Sequence, residues 1–231
     1  MNRTADVVIV GAGVIGSATA FELAKRGYKT LNIDKLPASG YGSTSNSCAI
    51  VRAHYSTWDG VAMAYEGFFY WDDWNKYLEV EDERGMAKYM KTGSIMFMLK
   101  GADHSKKSLN LFKEIGVEYE IWDLETLKKK MPIYSHDSYN GTSRPDEDDS
   151  FFDKSGDQIE GAVWTPGSGY VSDPQLATHN LQVATEAKGG EFLFDAEITE
   201  IRQSNGQIQG VTLKSGEQID CKVLVNVAGP H

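Results

Sequence analysis

Three glycines stand at positions 11, 13 and 16 of this 231-residue chain, in the run Gly11-Ala12-Gly13-Val14-Ile15-Gly16. The spacing G-x-G-x-x-G does chemistry only in a particular setting, with a strand before it, a helix after it and an acid closing the next strand. All three are present. Asp6-Val7-Val8-Ile9-Val10 is an apolar, β-branched run of strand length, the pattern of a strand buried on both faces. A helix rich in small residues (Ser17, Ala18, Ala20) follows to about Arg26, with Gly27 as its C-cap. Residues 29–33 read as a second strand, and Asp34 sits at its end. In such a β–turn–α–β unit Gly11 permits the tight turn, Gly13 lets the backbone approach a pyrophosphate, and Gly16 lets helix and strand pack closely. The helix start, Val14 and Ile15 included, offers N–H groups and the positive end of the helix dipole to phosphate oxygens. Asp34, with Lys35 beside it, is placed to accept hydrogen bonds from a ribose diol. A glycine-rich turn in another α/β protein would carry the glycines without needing that acid.

Other reactive side chains are sparse. Cys48 and Cys221 are too few for a disulfide framework, and neither they nor His104, His136 and His179 show metal-ligand spacing. The acidic run Asp146-Glu147-Asp148-Asp149 lacks the spacing of an EF-hand loop, so no metal site is expected. Composition narrows the classes further. With 23 basic against 33 acidic residues the net charge is −10, which argues against a nucleic-acid partner. Hydrophobic residues make up 41%, enough for the core of one or two domains. No apolar run approaches the roughly 18–20 residues that span a bilayer, and residues 7–15 read as strand and turn, not as a leader. A soluble, cytoplasmic globular protein is therefore expected, and the sequons at Asn2 and Asn140 are read as chance matches.

The elements that must hold the motif follow from periodicity. Residues 37–47 are loop, rich in Gly, Ser and Thr. Apolar residues at 61, 64, 68, 71, 74 and 78 predict one helix over 61–78, with Tyr65, Phe68, Phe69, Trp71 and Trp74 in the core. A strand is predicted over 92–99, a helix over 105–115 and a shorter one from Asp123 to before Pro132. The polar stretch 134–160 reads as an exposed insertion or mobile loop. Asp173-Pro174 is a strong helix start, N-cap and N1, for a helix that runs to Lys188 and closes at Gly189-Gly190. Short strands then alternate with turns (192–194, 197–202, 209–213, 218–221), with Asn205-Gly206 as a hairpin signal. Residues 223–227 again have a buried-strand pattern.

The dinucleotide implied by these residues is FAD or NAD. An NAD-linked dehydrogenase would continue with further βα units, whereas here a Ser/Thr/Gly loop, aromatic helices and a β-meander follow. That layout resembles the flavoproteins with two dinucleotide folds. The run Val8-Ile9-Val10-Gly11-Ala12-Gly13-Val14-Ile15-Gly16 resembles the FAD-dependent amine and amino-acid oxidoreductases of the D-amino-acid oxidase family. The loop Gly42-Ser43-Thr44-Ser45-Asn46-Ser47-Cys48-Ala49-Ile50-Val51-Arg52, continuing through Ala53-His54-Tyr55, is similar to the sarcosine oxidase branch, including the β subunits of its multi-subunit enzymes. Gly169-Tyr170-Val171-Ser172-Asp173-Pro174 and Val225-Asn226-Val227-Ala228-Gly229-Pro230 are two further landmarks in the expected order.

The resemblance implies an α/β fold: a Rossmann-like FAD-binding domain, with a parallel sheet, a crossover and a β-meander, interleaved with a smaller α+β substrate domain. It divides the chain into residues 1–85 and 161–231 for FAD and 86–160 for substrate, with the C-terminal portion of the fold absent. It places Ser43, Thr44 and Ser45 against the phosphate or isoalloxazine, the backbone of Ile198 at the adenine, and Ala228 and Gly229 in a turn near the dinucleotide. Arg52 matches the arginine that holds the substrate carboxylate, a task suited to a planar guanidinium. Where relatives place His or Arg above the flavin this chain has Ser45 and Ala49. His54 and Tyr55 are read as packed or solvated loop residues, and Cys48 as a small buried side chain with no covalent flavin link. The implied activity is oxidation of a secondary or tertiary amino acid. A non-catalytic FAD-binding subunit that needs a partner chain and an NAD-linked dehydrogenase remain as alternatives.

Overall fold

The computed structural model describes residues 3–100, 104–139, 144 and 146–230; Asn2 and Asn140 lie outside them. The chain divides into two compact units, one of residues 1–50, 70–89 and 171–231, the other of residues 51–69 and 90–170.

In the first unit four parallel strands lie in the order Glu191–Leu193, Thr30–Ile33, Val7–Val10, Val223–Asn226. The sheet is buried on both faces because its strands carry apolar residues at odd and even positions alike. One face, with Val8, Leu31 and Ile33, packs on Val211, Leu213, Ile219 and Cys221 of an antiparallel meander. The other, with Val7 and Ile9, packs on Ala20 and Leu23 of the helix Val14–Lys25. That helix in turn packs on the helix Pro174–Ala187. The expected α/β fold with its parallel sheet and meander is therefore present. The meander runs Ile198–Ser204, Gln207–Leu213, Gln218–Asp220, and gains Arg3–Thr4 as a parallel edge strand, which periodicity did not reveal. Asn205 and Gly206 both have positive φ (50° and 74°), the two-residue turn their types announce. Asp173 caps its helix through the Leu176 amide, with Pro174 in the first turn.

The second unit has a three-stranded antiparallel sheet, Ser94–Met98, Gly161–Thr165, Glu120–Asp123. Alternation along its middle strand splits the core: Val163 joins Ala53, Val61, Phe68, Phe112 and Val117, while Ala162 joins Trp122, Leu127 and Ile159. The helix His104–Ile115 supplies Phe112, and the helix Leu124–Lys130, capped by the Asp123 carboxylate on the Thr126 amide, supplies Leu127.

Several expectations need correction. The helix expected over 61–78 is two, Trp58–Asp72 and Trp74–Leu78, interrupted at Asp73. Phe68 and Trp74 are buried, but Phe69 is 58% exposed, since neighbours on a helix point about 100° apart and cannot share a core face. Residues 51–69 pack with the second unit, because Val61 and Phe68 complete the core around Phe112. The stretch 134–160 contains a hairpin, Asp137–Tyr139 with Lys154–Gln158. Val223 is 49% exposed, because its strand is a sheet edge among the described residues. Cys48 is exposed, not buried. No helix among the described residues is long and apolar enough to cross a membrane.

One polar cluster fastens residues 70–89 to the helix Pro174–Ala187. The Asp82 carboxylate accepts from His179 Nδ1 (2.5 Å), Asn180 Nδ2 (2.7 Å) and the Arg84 amide (2.9 Å), and Asn180 Oδ1 accepts from Trp74 Nε1 and the Ala87 amide. Burial raises the Asp82 pKa, but its hydrogen bonds outweigh that and hold it below the usual range. Ionised Asp82 therefore stabilises the fold above the unfolded-state value of about 4, and the stabilisation fades as pH falls below it. Replacing Asp82 by Asn should cost about 1–3 kcal/mol at neutral pH. The difference from wild type should narrow in chemical denaturation at acid pH; a gap that does not change with pH would sink this account.

Candidate functional site

The parallel register decides where the site forms. Val10 is level with Ile33 on one side and with Asn226 on the other, so the three strands end together. Gly11, Asp34 and Val227 then follow at one edge, which is the carboxyl edge where α/β sheets take their ligands. There Gly11, Asp34, Lys35, Ile198 and Ala228 line one cavity of about 250 Å³, together with Val10, Ile33, Ala196 and Glu197. Five residues singled out from the sequence thus converge from four separate segments of the chain. A wider cleft of about 580 Å³ shares Lys35, Ala196 and Glu197 and continues to Lys214 and Ser215. Lys214 lies 2.7 Å from Glu197 and holds that carboxyl below its ordinary range.

The glycines do what their spacing requires. Gly11 has φ +106°, and a Cβ on it would stand 2.6 Å from the Val227 carbonyl oxygen. On Gly16 a Cβ would stand 2.0 Å from the Gly11 carbonyl oxygen, so here the third glycine admits the turn itself against the helix. Gly13 is the N-cap, and a Cβ there would meet Thr44 Oγ1 at 3.2 Å. Helix geometry leaves the first-turn amides without intrahelical acceptors. One of them, on Val14, donates to Thr44 Oγ1 at 3.1 Å. The loop carrying Thr44 is tied to the turn by the Gly40 amide, which donates to the Ala12 carbonyl at 2.9 Å.

Asp34 already has two backbone tasks: Oδ2 accepts from the Ala12 amide (2.7 Å) and Oδ1 from the Leu36 amide (2.9 Å). Each oxygen keeps a lone pair that a ribose hydroxyl can use. Of the other predicted residues, Val14 is half-buried and Ile15 exposed on the first helical turn, and Gly229 has φ +78° beyond Ala228. Ser43 is exposed, while the Ser45 hydroxyl donates to the Gly42 carbonyl within its own loop (2.9 Å). The residues present fit a dinucleotide: a cradle closed to a Cβ at Gly11 and Gly16, first-turn amides, an acid at the strand end and a cavity of mixed polar and apolar lining beside it. Sequence reasoning missed Asn32 and Ser17, both buried and both bonded to carbonyls of the glycine turn. The signal for Asn32 was available, as an amide inside the apolar strand Thr30–Ile33.

Arg52 belongs to the second unit. Its Nη1 donates to the His54 carbonyl (2.9 Å) and its guanidinium lies over the Tyr55 ring, 5.3 Å from the centroid. Among the described residues no carboxylate pairs with it. His54 is packed, as expected: it stacks on Phe112 (centroids 5.5 Å apart), and its Nε2 lies 3.1 Å from Thr165 Oγ1. Burial, aided by the Arg52 charge, pushes its pKa down to about 4. An NMR titration should find His54 uncharged until pH approaches that value, and Arg52→Ala should raise the midpoint. A midpoint near the ordinary about 6.5 would contradict this packing.

Two glycine substitutions should have opposite signs. Gly16→Ala forces backbone apart and should cost about 1–3 kcal/mol. Gly67→Ala, in the helix Trp58–Asp72 with open space where the Cβ would go, should stabilise by about 0.4–1 kcal/mol. Thermal melts of the two variants decide it, and equal shifts would show that the cradle is looser than described.

Comparisons with known proteins agree with this architecture. The chain is 26% identical to a D-amino acid dehydrogenase of Rhodopseudomonas palustris, over 91% of this chain and 56% of that protein. It is 29% identical to a monomeric sarcosine oxidase of a Bacillus species, over 98% of this chain and 52% of the relative. Among solved structures, the L-proline dehydrogenase of P. horikoshii matches with a TM-score of 0.77 at 22% identity, covering 98% of this chain and 53% of that one. The chain thus spans about half the length of these relatives. The family model described as FAD dependent oxidoreductase matches residues 6–231, and the chain belongs to that family, the D-amino-acid oxidase family.

Proposed function

We propose that the first unit of this chain holds FAD and that the protein oxidises the C–N bond of an amino acid bearing a secondary or tertiary amine, of the sarcosine-, dimethylglycine- or proline-like class. The observation that carries the reading is the meeting of Gly11, Asp34, Lys35, Ile198 and Ala228 on one cavity at the carboxyl edge of a parallel sheet. The amides of Gly13, Ile15 and Gly16 face the phosphates, with the Val14 amide bonded to Thr44 beside them and Ser43 and Ser45 in the adjoining loop. The Asp34 lone pairs, flanked by Lys35, receive the ribose, and Ile198, Ala228 and Gly229 border the adenosine end. Bound FAD supplies the acceptor for the hydride equivalent that leaves the carbon beside nitrogen. Arg52 holds the substrate carboxylate, since one edge of its guanidinium is fixed by the His54 carbonyl and no carboxylate among the described residues competes for the rest. The neutral His54 adds no second cation there. With the amine bound neutral no general base is needed, because loss of the hydride leaves an iminium ion, which water hydrolyses.

The visible spectrum of the purified protein, before and after addition of FAD and desalting, tests the cofactor. A retained flavin band is expected, and Asp34→Ala should lose it; a colourless protein that binds NAD instead would overturn the reading. With flavin retained, Arg52→Ala should weaken N-methylglycine binding about tenfold to a hundredfold, read from the flavin band, while FAD retention stays unchanged. Binding that ignores Arg52 would remove it from the site.

A further inference from the structure

The strand Thr30–Ile33 sends Leu31 and Ile33 into the apolar layer against the meander. Asn32 alternates to the opposite face and is fully buried. Its Nδ2 donates to the Gly11 carbonyl at 3.4 Å, and its Oδ1 has no hydrogen-bond partner among the described residues. Two positions on, the Asp34 carboxylate accepts from the Ala12 amide at 2.7 Å. The Gly11 C=O and the Ala12 N–H are opposite ends of one planar peptide unit. Asn32 and Asp34 therefore grip that unit from its two ends, while the Gly11 amide is bonded to the Ile33 carbonyl at 2.8 Å. The next carbonyl, of Ala12, is held by the Gly40 amide and by Ser17 Oγ. A buried amide whose own Oδ1 stays unpaired is a costly core residue, and the one bond Asn32 makes is to the Gly11 carbonyl, which has no other donor among the described residues.

We propose that Asn32 is a positioning residue for the dinucleotide turn: by holding the Gly11 carbonyl inward it sets the peptide orientation that turns the amides at the helix start toward the phosphates. The inference rests on the reading that this unit binds FAD. Gly11 makes the device necessary. Glycine adopts positive and negative φ with similar ease, so nothing intrinsic to the residue holds φ at +106°. The Asp34 bond restrains the N–H end of the peptide, and Asn32 adds the restraint at its carbonyl end. Asn32 acts through the turn and has no contact with the cofactor assigned to it.

The test uses the full chain and the apolar variant Asn32→Leu, with Asn32→Val as a second, strand-compatible replacement. Three quantities are read: FAD affinity by titration, melting temperature, and hydrogen exchange of the Ala12 amide. The expected pattern is an affinity loss of about tenfold, a conversion of about 1.4 kcal/mol. The melting temperature should change little, since the variant removes the unpaired Oδ1 while the Gly11 carbonyl loses its donor, and the Ala12 amide should exchange faster at unchanged global stability. Unchanged affinity together with unchanged exchange overturns the proposal. A melting temperature that falls in step with affinity in both variants also overturns it, making Asn32 a fold residue. Wild-type protein that takes no FAD refutes the cofactor reading, and exchange at Ala12 then decides separately whether the clamp exists.

Discussion

The in-register parallel pairing of Val7–Val10 with Thr30–Ile33 on one side and Val223–Asn226 on the other sets the geometry on which the rest of the first unit depends. Parallel strands that end level deliver the residues after them to the same edge. That is how Gly11, Asp34 and Ala228, far apart in the chain, come to line one cavity. A one-residue slip would turn every strand side chain to the other face, moving Leu31 and Ile33 out of the layer they share with Val211 and Ile219. Burial on both faces protects the register, and the register makes the site.

The polar groups in this otherwise apolar layer are concentrated where the chain must leave regular structure. Asn32, Asp34 and Ser17 all reach the backbone of the Gly11–Gly13 turn, where they pair the Gly11 carbonyl, the Ala12 amide and the Ala12 carbonyl. The glycines handle the steric side of the same problem: a Cβ at 11 or 16 would run into backbone oxygens. Thr44 closes the arrangement from outside through the Val14 amide. The turn is thereby preorganised, and a ligand that binds there need not order it.

The second unit solves a different problem with similar means. Its core around Phe112 and Val163 seats His54 by stacking and by the Thr165 hydroxyl, and the His54 carbonyl restrains Arg52. An exposed guanidinium thus inherits order from buried neighbours. The burial that keeps His54 neutral also spares Arg52 a second positive charge beside it.

Local signals carried a large part of this architecture. The β–turn–α–β opening, the Asp173-Pro174 helix start, the Asn205-Gly206 turn and the acid at position 34 are each dictated by the conformations their residue types allow, so the sequence by itself determined them. Family motifs in the same stretches identified FAD as the dinucleotide to expect, and with the glycine spacing and its acid they singled out five of the nine residues that line the cavity. Other features depend on which segments meet. The strand Gly161–Thr165 is short and apolar like many loop segments until two partners flank it, and the break at Asp73 interrupts a continuous helical pattern. Phe69 and Val223 show the limit from the other side, being apolar residues left exposed by one helix face and one sheet edge. Asn32 belongs to the same class: its type was visible in the strand, but its partner is a carbonyl twenty-one residues away. Only the tertiary structure decided that, because a hydrogen bond between distant segments is defined by where the backbone goes and not by spacing along it.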